Sequence, residues 1–336
     1  MTGVLRHTKL YRQQKEIKQG ENNPMEIYNK LTDLKKKYPK LVVALGMFDG
    51  VHIGHQSIIR RAVELAATID GKSMVFTFNN HPLSVLSPDR LPPQIGNNFL
   101  RQARFEDLHV DLLMNIPFTK AFSQVSPEDF LLLLQAHFAP QYVVTGANYT
   151  FGERGRGTQR LLLRAGCDYG FEAEICPTVL QGDKPVSSTR IRELIVKGEL
   201  SSANTFLGYP FTMIERVQHG DKRGRQLGFP TANLAIGAHR AVPPKGVYAA
   251  KAIYEGKEYA SLVNIGNNPT FQGERAVRIE VNIQDFNKNI YDQLLTVQFF
   301  KQLRPEKKFS SVEQLVKQMH RDKDKAKAIW AKHMNQ

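Results

Sequence analysis

From residue 41 to about 205, short apolar runs alternate with segments of helical period; after Leu207-Gly208-Tyr209-Pro210 the alternation stops. LVVAL (41–45) reads as a buried strand, HQSIIRRAVELAATI (55–69) as an amphipathic helix, MVFTF (74–78) as a second strand and YVVT (142–145) as another. Ser126-Pro127-Glu128-Asp129 supplies an N-cap, an N1 proline and acidic first-turn residues for the helix FLLLLQAHF. SSTRIRELIVKG reads as a short helix with hydroxyl caps and a closing glycine. Such alternation implies a parallel sheet with helices on both faces, a Rossmann-like α/β domain. Beyond residue 210, FTMIERVQ, VYAAKAIY, EYASLVNI, VRIEVNI and LLTVQFF are strand-like, and no helical pattern returns until about residue 310. Closely spaced strands without crossover helices imply an antiparallel sheet or small β-barrel, closed by a C-terminal helix. The expected domains are therefore 41–205 and 206–336, preceded by an extension, 1–40, with one helix at 24–37.

The length of 336 residues accommodates two domains with a core each. The net charge of +14 is concentrated at the ends: residues 1–40 and 301–336 each hold ten Lys+Arg against four acids. The globular middle is nearly neutral, so the basic ends read as solvated surface rather than as a nucleic-acid-binding face. No apolar run is long enough for a membrane span, and the N-terminus lacks the apolar core of a signal peptide. Two cysteines, Cys167 and Cys176, exclude a disulfide framework and a Cys-based metal site. A soluble cytoplasmic protein is expected.

Three segments carry candidate chemistry in the first domain. Gly46-Met47-Phe48-Asp49-Gly50-Val51-His52-Ile53-Gly54-His55 joins the first strand to the first helix, where free backbone N–H groups can hold an anion. Its glycines fit neither GxGxxG nor a Walker A loop, so neither a dinucleotide fold nor a P-loop is indicated. His52 and His55, three apart, fall on one side of the first helical turn, where two imidazoles can stabilise charge on a leaving pyrophosphate. Ser187-Ser188-Thr189-Arg190-Ile191-Arg192 combines hydroxyls, a helix N-terminus and guanidinium groups into a second candidate phosphate clamp. Gly146-Ala147-Asn148-Tyr149-Thr150-Phe151-Gly152, with Arg154 and Arg156, follows YVVT; its glycines permit close backbone approach and Asn148 can read a polar edge. Each segment also has a plain structural reading, as a cap, a surface helix start or a loop.

In sequence order, GMFDGVHIGH, FNNHP, GANYTFGERGRG and SSTRIR resemble the adenylyltransferase half of bacterial bifunctional riboflavin kinase/FAD synthetases. The second half, with Gly220-Asp221-Lys222-Arg223-Gly224-Arg225-Gln226-Leu227-Gly228-Phe229-Pro230-Thr231-Ala232-Asn233, then GVYAAKA, NIGNNPTF, VRIEVNIQDF and LRPEKKF, resembles the riboflavin kinase module. The resemblance implies transfer of the γ-phosphate of ATP to riboflavin, giving FMN, and then of AMP from a second ATP to FMN, giving FAD and pyrophosphate. It implies ATP binding by Gly46, Phe48, Asp49, Gly54, Ser187, Ser188, Thr189, Arg190 and Arg192 in the first domain. There His52, His55 and Asn148 would support the transfer. In the second, Gly220, Lys222, Gly224 and Arg225 would wrap the nucleotide phosphates, Thr231 and Asn233 would offer oxygen ligands to Mg²⁺, and Glu280 matches the general base. Riboflavin, FMN, FAD and ATP are the expected partners.

Two departures stand out. Asn80 replaces a proline near the expected flavin side, and Glu215 replaces a glycine at the edge of the kinase nucleotide loop, which is expected to weaken nucleotide affinity. Two rival readings follow: a paralogue with a weakened kinase, or an RNA-binding regulator on the same fold. A tRNA synthetase-like protein, which also carries HIGH, is disfavoured by the short length and the lack of a KMSKS-like loop.

Overall fold

The computed structural model describes residues 24–220, 229–268 and 276–334. Chain contacts divide it into two compact units, one of residues 24–93 and 100–188, the other of residues 94–99 and the described residues from 189 onward.

The first unit is built on strands β1 (Glu26–Tyr28), β2 (Leu41–Leu45), β3 (Lys72–Phe78), β4 (Leu112–Ile116), β5 (Tyr142–Gly146) and β6 (Glu172–Cys176). All pair in parallel, in the order β1-β4-β3-β2-β5-β6. The run LVVAL is buried throughout because β2 is central and both its faces are covered. Leu41, Val43 and Leu45 join one apolar cluster with Phe130, Leu134 and Phe138; Val42 and Ala44 join the other with Ile59, Ala62 and Leu65. The covering helices are α1 (Ile53–Thr68), α2 (Asn98–Asp107), α3 (Pro127–His137) and α4 (Gln159–Tyr169). The Ser126 hydroxyl accepts the Asp129 N–H at 3.0 Å, so α3 starts at the cap its sequence supplies.

The chain runs from β2 outward through β3 to β4, then returns to place β5 on the opposite side of β2. That reversal opens a crevice beyond the carboxyl ends of β2 and β5, the place where open α/β sheets bind ligands. The segments beginning at Gly46 and Gly146 leave the sheet at these two neighbouring ends.

The expected helix at 24–37 is instead a strand followed by turns. Glu26, Ile27 and Tyr28 pair in parallel with Leu112, Leu113 and Met114, extending the sheet at its edge. The Glu26 carboxylate then accepts hydrogen bonds from Tyr28 (2.6 Å), Tyr38 (2.5 Å) and Lys37 (2.8 Å), which fastens the following turns.

The second unit holds α5 (Ser188–Lys197) from Thr189 onward, α6 (Leu200–Leu207) and strands β7 (Thr212–Gln218), β8 (Ala232–Leu234), β9 (Gly246–Tyr254), β10 (Lys257–Asn268), β11 (Ala276–Ile283) and β12 (Leu294–Pro305). The six strands close into an antiparallel barrel in the order β8-β11-β10-β9-β12-β7, and closure removes free sheet edges. The final helix, α7 (Val312–Met334), packs Ala326 and Trp330 on the barrel, with the Trp330 indole donating to the Ala250 carbonyl at 3.0 Å. Residues 94–97 also bind here: the Gln94 N–H donates to the His239 carbonyl (2.7 Å) and the Asn97 amide to the Ile214 carbonyl (2.7 Å).

Candidate active sites

The loop after β2 is held in a conformation side chains rarely adopt. Phe48 and Val51 have φ of 52° and 37°, in the left-handed region that L-residues, and β-branched ones above all, avoid. Gly46 makes the fold-back possible, since a Cβ there would lie 2.7 Å from the Phe48 ring. Phe48 is fully buried and Asp49 and His52 nearly so. The loop delivers His52 as the N-cap of α1, its Nδ1 accepting the His55 N–H at 3.2 Å, which fixes a proton-free Nδ1 on His52. The two imidazoles stack with centroids 3.6 Å apart, and His55 meets the Phe48 ring edge-on. The structural role of His52 as a cap is thus real, and the same geometry sets both rings side by side at a helix N-terminus.

Ser188, which opens α5, donates its hydroxyl to the Asp49 carbonyl at 3.1 Å and so brings Ser187 and Ser188 to this loop. Thr189, Arg190 and Arg192 continue along α5 and group with the barrel unit, where the Arg190 guanidinium lies 5.9 Å from the Phe206 ring.

Beside the loop lies a cavity of about 620 Å³. Gly46 and Met47 line it, as do Asn148, Tyr149 and the aromatic rings Phe78, Phe118 and Phe122; Lys120 and Arg154 supply its cations. Phe78 meets Phe118 and Phe122 edge-to-face at 5.0 and 5.1 Å, a rigid apolar wall suited to a flat ring system. Burial pushes the Tyr149 hydroxyl well above its ordinary range, so it remains a protonated donor. Asn80 has a definite task in this wall. Its amide donates to the Phe118 carbonyl (3.0 Å) and its Oδ1 accepts the Phe118 N–H (2.8 Å), two bonds that a proline cannot make.

In the barrel, Asn233 on β8 stands opposite Glu280 on β11. Glu280 is held by Arg278 Nη2 at 2.8 Å on Oε1 and by the Asn264 amide at 3.3 Å on Oε2, while Arg278 Nε donates to Asn233 Oδ1 at 3.2 Å. A Cβ on Gly220 would come within 2.2 Å of the Asn233 amide, so only glycine lets the loop approach this closely. Gly220, Thr231 and Asn233 line a cavity of about 370 Å³ with Lys288 and Tyr291. Lys222, Gly224 and Arg225 fall outside the described residues. Arg278 and Asn264 were not singled out from the sequence. The alternation of Arg278, Glu280 and Asn282 along VRIEVNI puts them on one face, yet their bonds depend on strands brought in by barrel closure.

Glu215 has a defined partner within the barrel unit. Its carboxylate is buried against Arg240 (3.1 Å), whose Nη1 also donates to the Gln94 carbonyl at 3.2 Å. Burial pushes the Glu215 carboxyl up, and Arg240 only partly pulls it back. The residue is a structural link between β7 and residues 94–97.

The chain holds a switch-point α/β unit whose first loop ends at a helix N-terminus beside an aromatic cavity, and a closed barrel that sets a carboxylate beside amide side chains; together these features suit a two-module phosphate-transfer protein. Comparison with known proteins specifies the class. Residues 34–190 match the FAD synthetase family model, and residues 207–330 match the riboflavin kinase model. The bifunctional riboflavin kinase/FMN adenylyltransferase of Listeria monocytogenes is 38% identical over 90% of this chain and 94% of its own length; that of Bacillus subtilis is 36% identical over 87% and 93%. A crystal structure described as a macrolide-efflux protein from Streptococcus pneumoniae is 32% identical, with a TM-score of 0.76 over 89% of this chain and 98% of that one. Among the described residues no helix is long and apolar enough to cross a membrane. The chain belongs to the bifunctional riboflavin kinase/FMN adenylyltransferase family.

Proposed function

We propose that this chain acts in the cytoplasm, phosphorylates riboflavin with ATP to give FMN in the barrel, and adenylylates FMN with a second ATP to give FAD and pyrophosphate in the α/β unit. The observation that carries this reading is the presence of both constellations in one chain: Asn233 opposite Glu280 in the barrel, and the His52/His55 loop beside an aromatic cavity in the sheet domain. In the barrel, the riboflavin 5′-hydroxyl attacks the γ-phosphorus, its proton passes to Glu280, and the bond from the γ-phosphorus to the bridging oxygen breaks to release ADP. Arg278 and Asn264 orient the carboxylate for this transfer. The oxygen donors Thr231 and Asn233 suit a hard cation that takes its remaining ligands from phosphate and water. They would hold Mg²⁺, which when bound neutralises phosphate charge.

In the sheet domain, a phosphate oxygen of FMN is the nucleophile at the α-phosphorus, and the bond to pyrophosphate breaks. No protein nucleophile is needed. His52, His55 and the α1 N-terminus stabilise the departing charge, Ser187 and Ser188 border the phosphate loop, and the Phe-lined cavity takes the isoalloxazine. Asn148 on the cavity wall offers polar recognition. Purified protein incubated with riboflavin, ATP and Mg²⁺ should give FMN and then FAD on chromatography. Absence of both products would overturn the proposal.

A further inference from the structure

Arg101, on α2, is 5% exposed, and its guanidinium is fixed by hydrogen bonds to two segments. Nη1 donates to the Met47 carbonyl at 3.0 Å and to Thr77 Oγ1 at 3.3 Å; Nη2 donates to the Phe78 carbonyl at 2.7 Å. The Thr77 hydroxyl also donates to the Met47 carbonyl, at 3.2 Å. These acceptors belong to two different segments. Met47 lies in the loop that leads to Asp49 and His52, and Phe78 ends β3, just before Asn79-Asn80-His81. The β2–β3 register ends at Leu45 opposite Phe76, and beyond that point the guanidinium spans from one segment to the other. Both Met47 and Phe78 line the 620 Å³ cavity.

A buried cation is a costly way to fill a core, since an apolar side chain of similar volume avoids its desolvation. Here the cation faces carbonyl and hydroxyl oxygens at the ligand-binding edge of the sheet, and a planar fork of donors suits acceptors that diverge from one point. Burial pulls the Arg101 guanidinium down to about 10 while Asp49 opposes the shift, so it stays charged at neutral pH.

We propose that Arg101 is a positioning residue for adenylyl transfer, setting the nucleotide loop after β2 and the flavin-side wall after β3 in one fixed geometry. The proposal rests on the assignment of FMN adenylylation to this unit. Arg101 does not touch the reacting atoms; it acts through the Met47 and Phe78 backbone. A displacement of about 1 Å at a substrate-positioning element can cost about 10²-fold in rate, which sets the expected scale.

The test uses the full chain, with R101M, R101Q and R101K compared to wild type for FMN adenylylation and, in the same samples, for riboflavin phosphorylation. R101M and R101Q should lower kcat/KM for FMN adenylylation by about 10- to 10²-fold, with KM rising for both FMN and ATP. R101K, which keeps the charge without the fork, should recover part of that loss. Riboflavin phosphorylation should be unchanged in all three. A merely structural arginine would lower the melting temperature and leave kcat and KM of the folded enzyme at wild-type values, and that result overturns the proposal. Should R101M fail to fold, R101K decides: wild-type kinetics overturn the proposal and a raised KM for both substrates supports it. Wild-type enzyme that makes no FAD from FMN would instead remove the functional reading beneath it.

Discussion

Replacing Glu215 with glycine gives the residue the family usually carries there, and the structure predicts that it harms this protein. The Glu215 and Arg240 side chains are 9% and 6% exposed and pair at 3.1 Å. Removing one partner of a buried pair strands the other charge and typically costs about 3–5 kcal/mol. Arg240 would keep its bond to the Gln94 carbonyl but lose the carboxylate that faces it, and residues 94–97 would lose part of their anchorage. For a unit of this size each kcal/mol corresponds to about 2–4 °C, so the transition that carries kinase activity should fall by roughly 6–20 °C in Glu215→Gly. Glu215→Gln keeps an acceptor for Arg240 and should cost about 1–3 kcal/mol. Burial already holds the Glu215 carboxyl above its ordinary range, which places that cost near the lower end. Calorimetry, with residual riboflavin phosphorylation measured after each heating step, separates the barrel transition from that of the sheet domain. A loss below about 1 kcal/mol in Glu215→Gly would refute the anchoring role. A kinase faster than wild type below the transition would show instead that the glutamate restrains the nucleotide loop.

Two further predictions address the sheet domain. His52→Ala combined with His55→Ala should lower FAD formation from FMN by about 10²-fold or more and leave riboflavin phosphorylation near normal; equal loss of both activities in folded protein would contradict the assignment. Hydrogen bonds from Lys37, Tyr28 and Tyr38 hold the Glu26 carboxyl down at about 2, so its contribution to stability is complete above its unfolded value of 4.5 and is lost as pH falls toward 2. The melting temperature of Glu26→Gln should therefore lie below wild type at pH 6 to 7, and the gap should close as pH is lowered through that window. A gap independent of pH would contradict the charge-based account.

The architecture was legible where local sequence and tertiary demand agree. LVVAL is apolar at every position because both faces of β2 are buried, and VYAAKAIY and LLTVQFF carry strand composition because most of their side chains pack into the barrel or against its neighbours. Residues 24–37 misled because MEIYNKL spaces its apolar residues as a helix would, while its strand state comes from pairing with Leu112–Met114, more than eighty residues away. Candidate ligand groups at strand ends could be read from motif and position: His52 and Asn148 do emerge at neighbouring carboxyl ends of β2 and β5. Arg101 and Arg240 could not. An arginine read from sequence alone passes for solvated surface, and only the fold reveals the carbonyl or carboxylate that receives it. The same holds for Asn80 and Glu215, whose departures from the family pattern become intelligible once their partners, Phe118 and Arg240, are in place.

The central claim is that one chain carries two separable phosphate-transfer sites, with Glu280 serving only the first. The direct measurement is the full-length Glu280→Gln variant assayed twice, once with riboflavin and once with FMN, each with ATP and Mg²⁺. The substitution keeps the side chain's shape and an acceptor for Arg278 but removes the proton acceptor. FMN formation from riboflavin should fall by about 10²–10⁴-fold, while FAD formation from supplied FMN stays at the wild-type rate. Unchanged phosphorylation, or a parallel loss of both reactions in folded protein, would contradict the account.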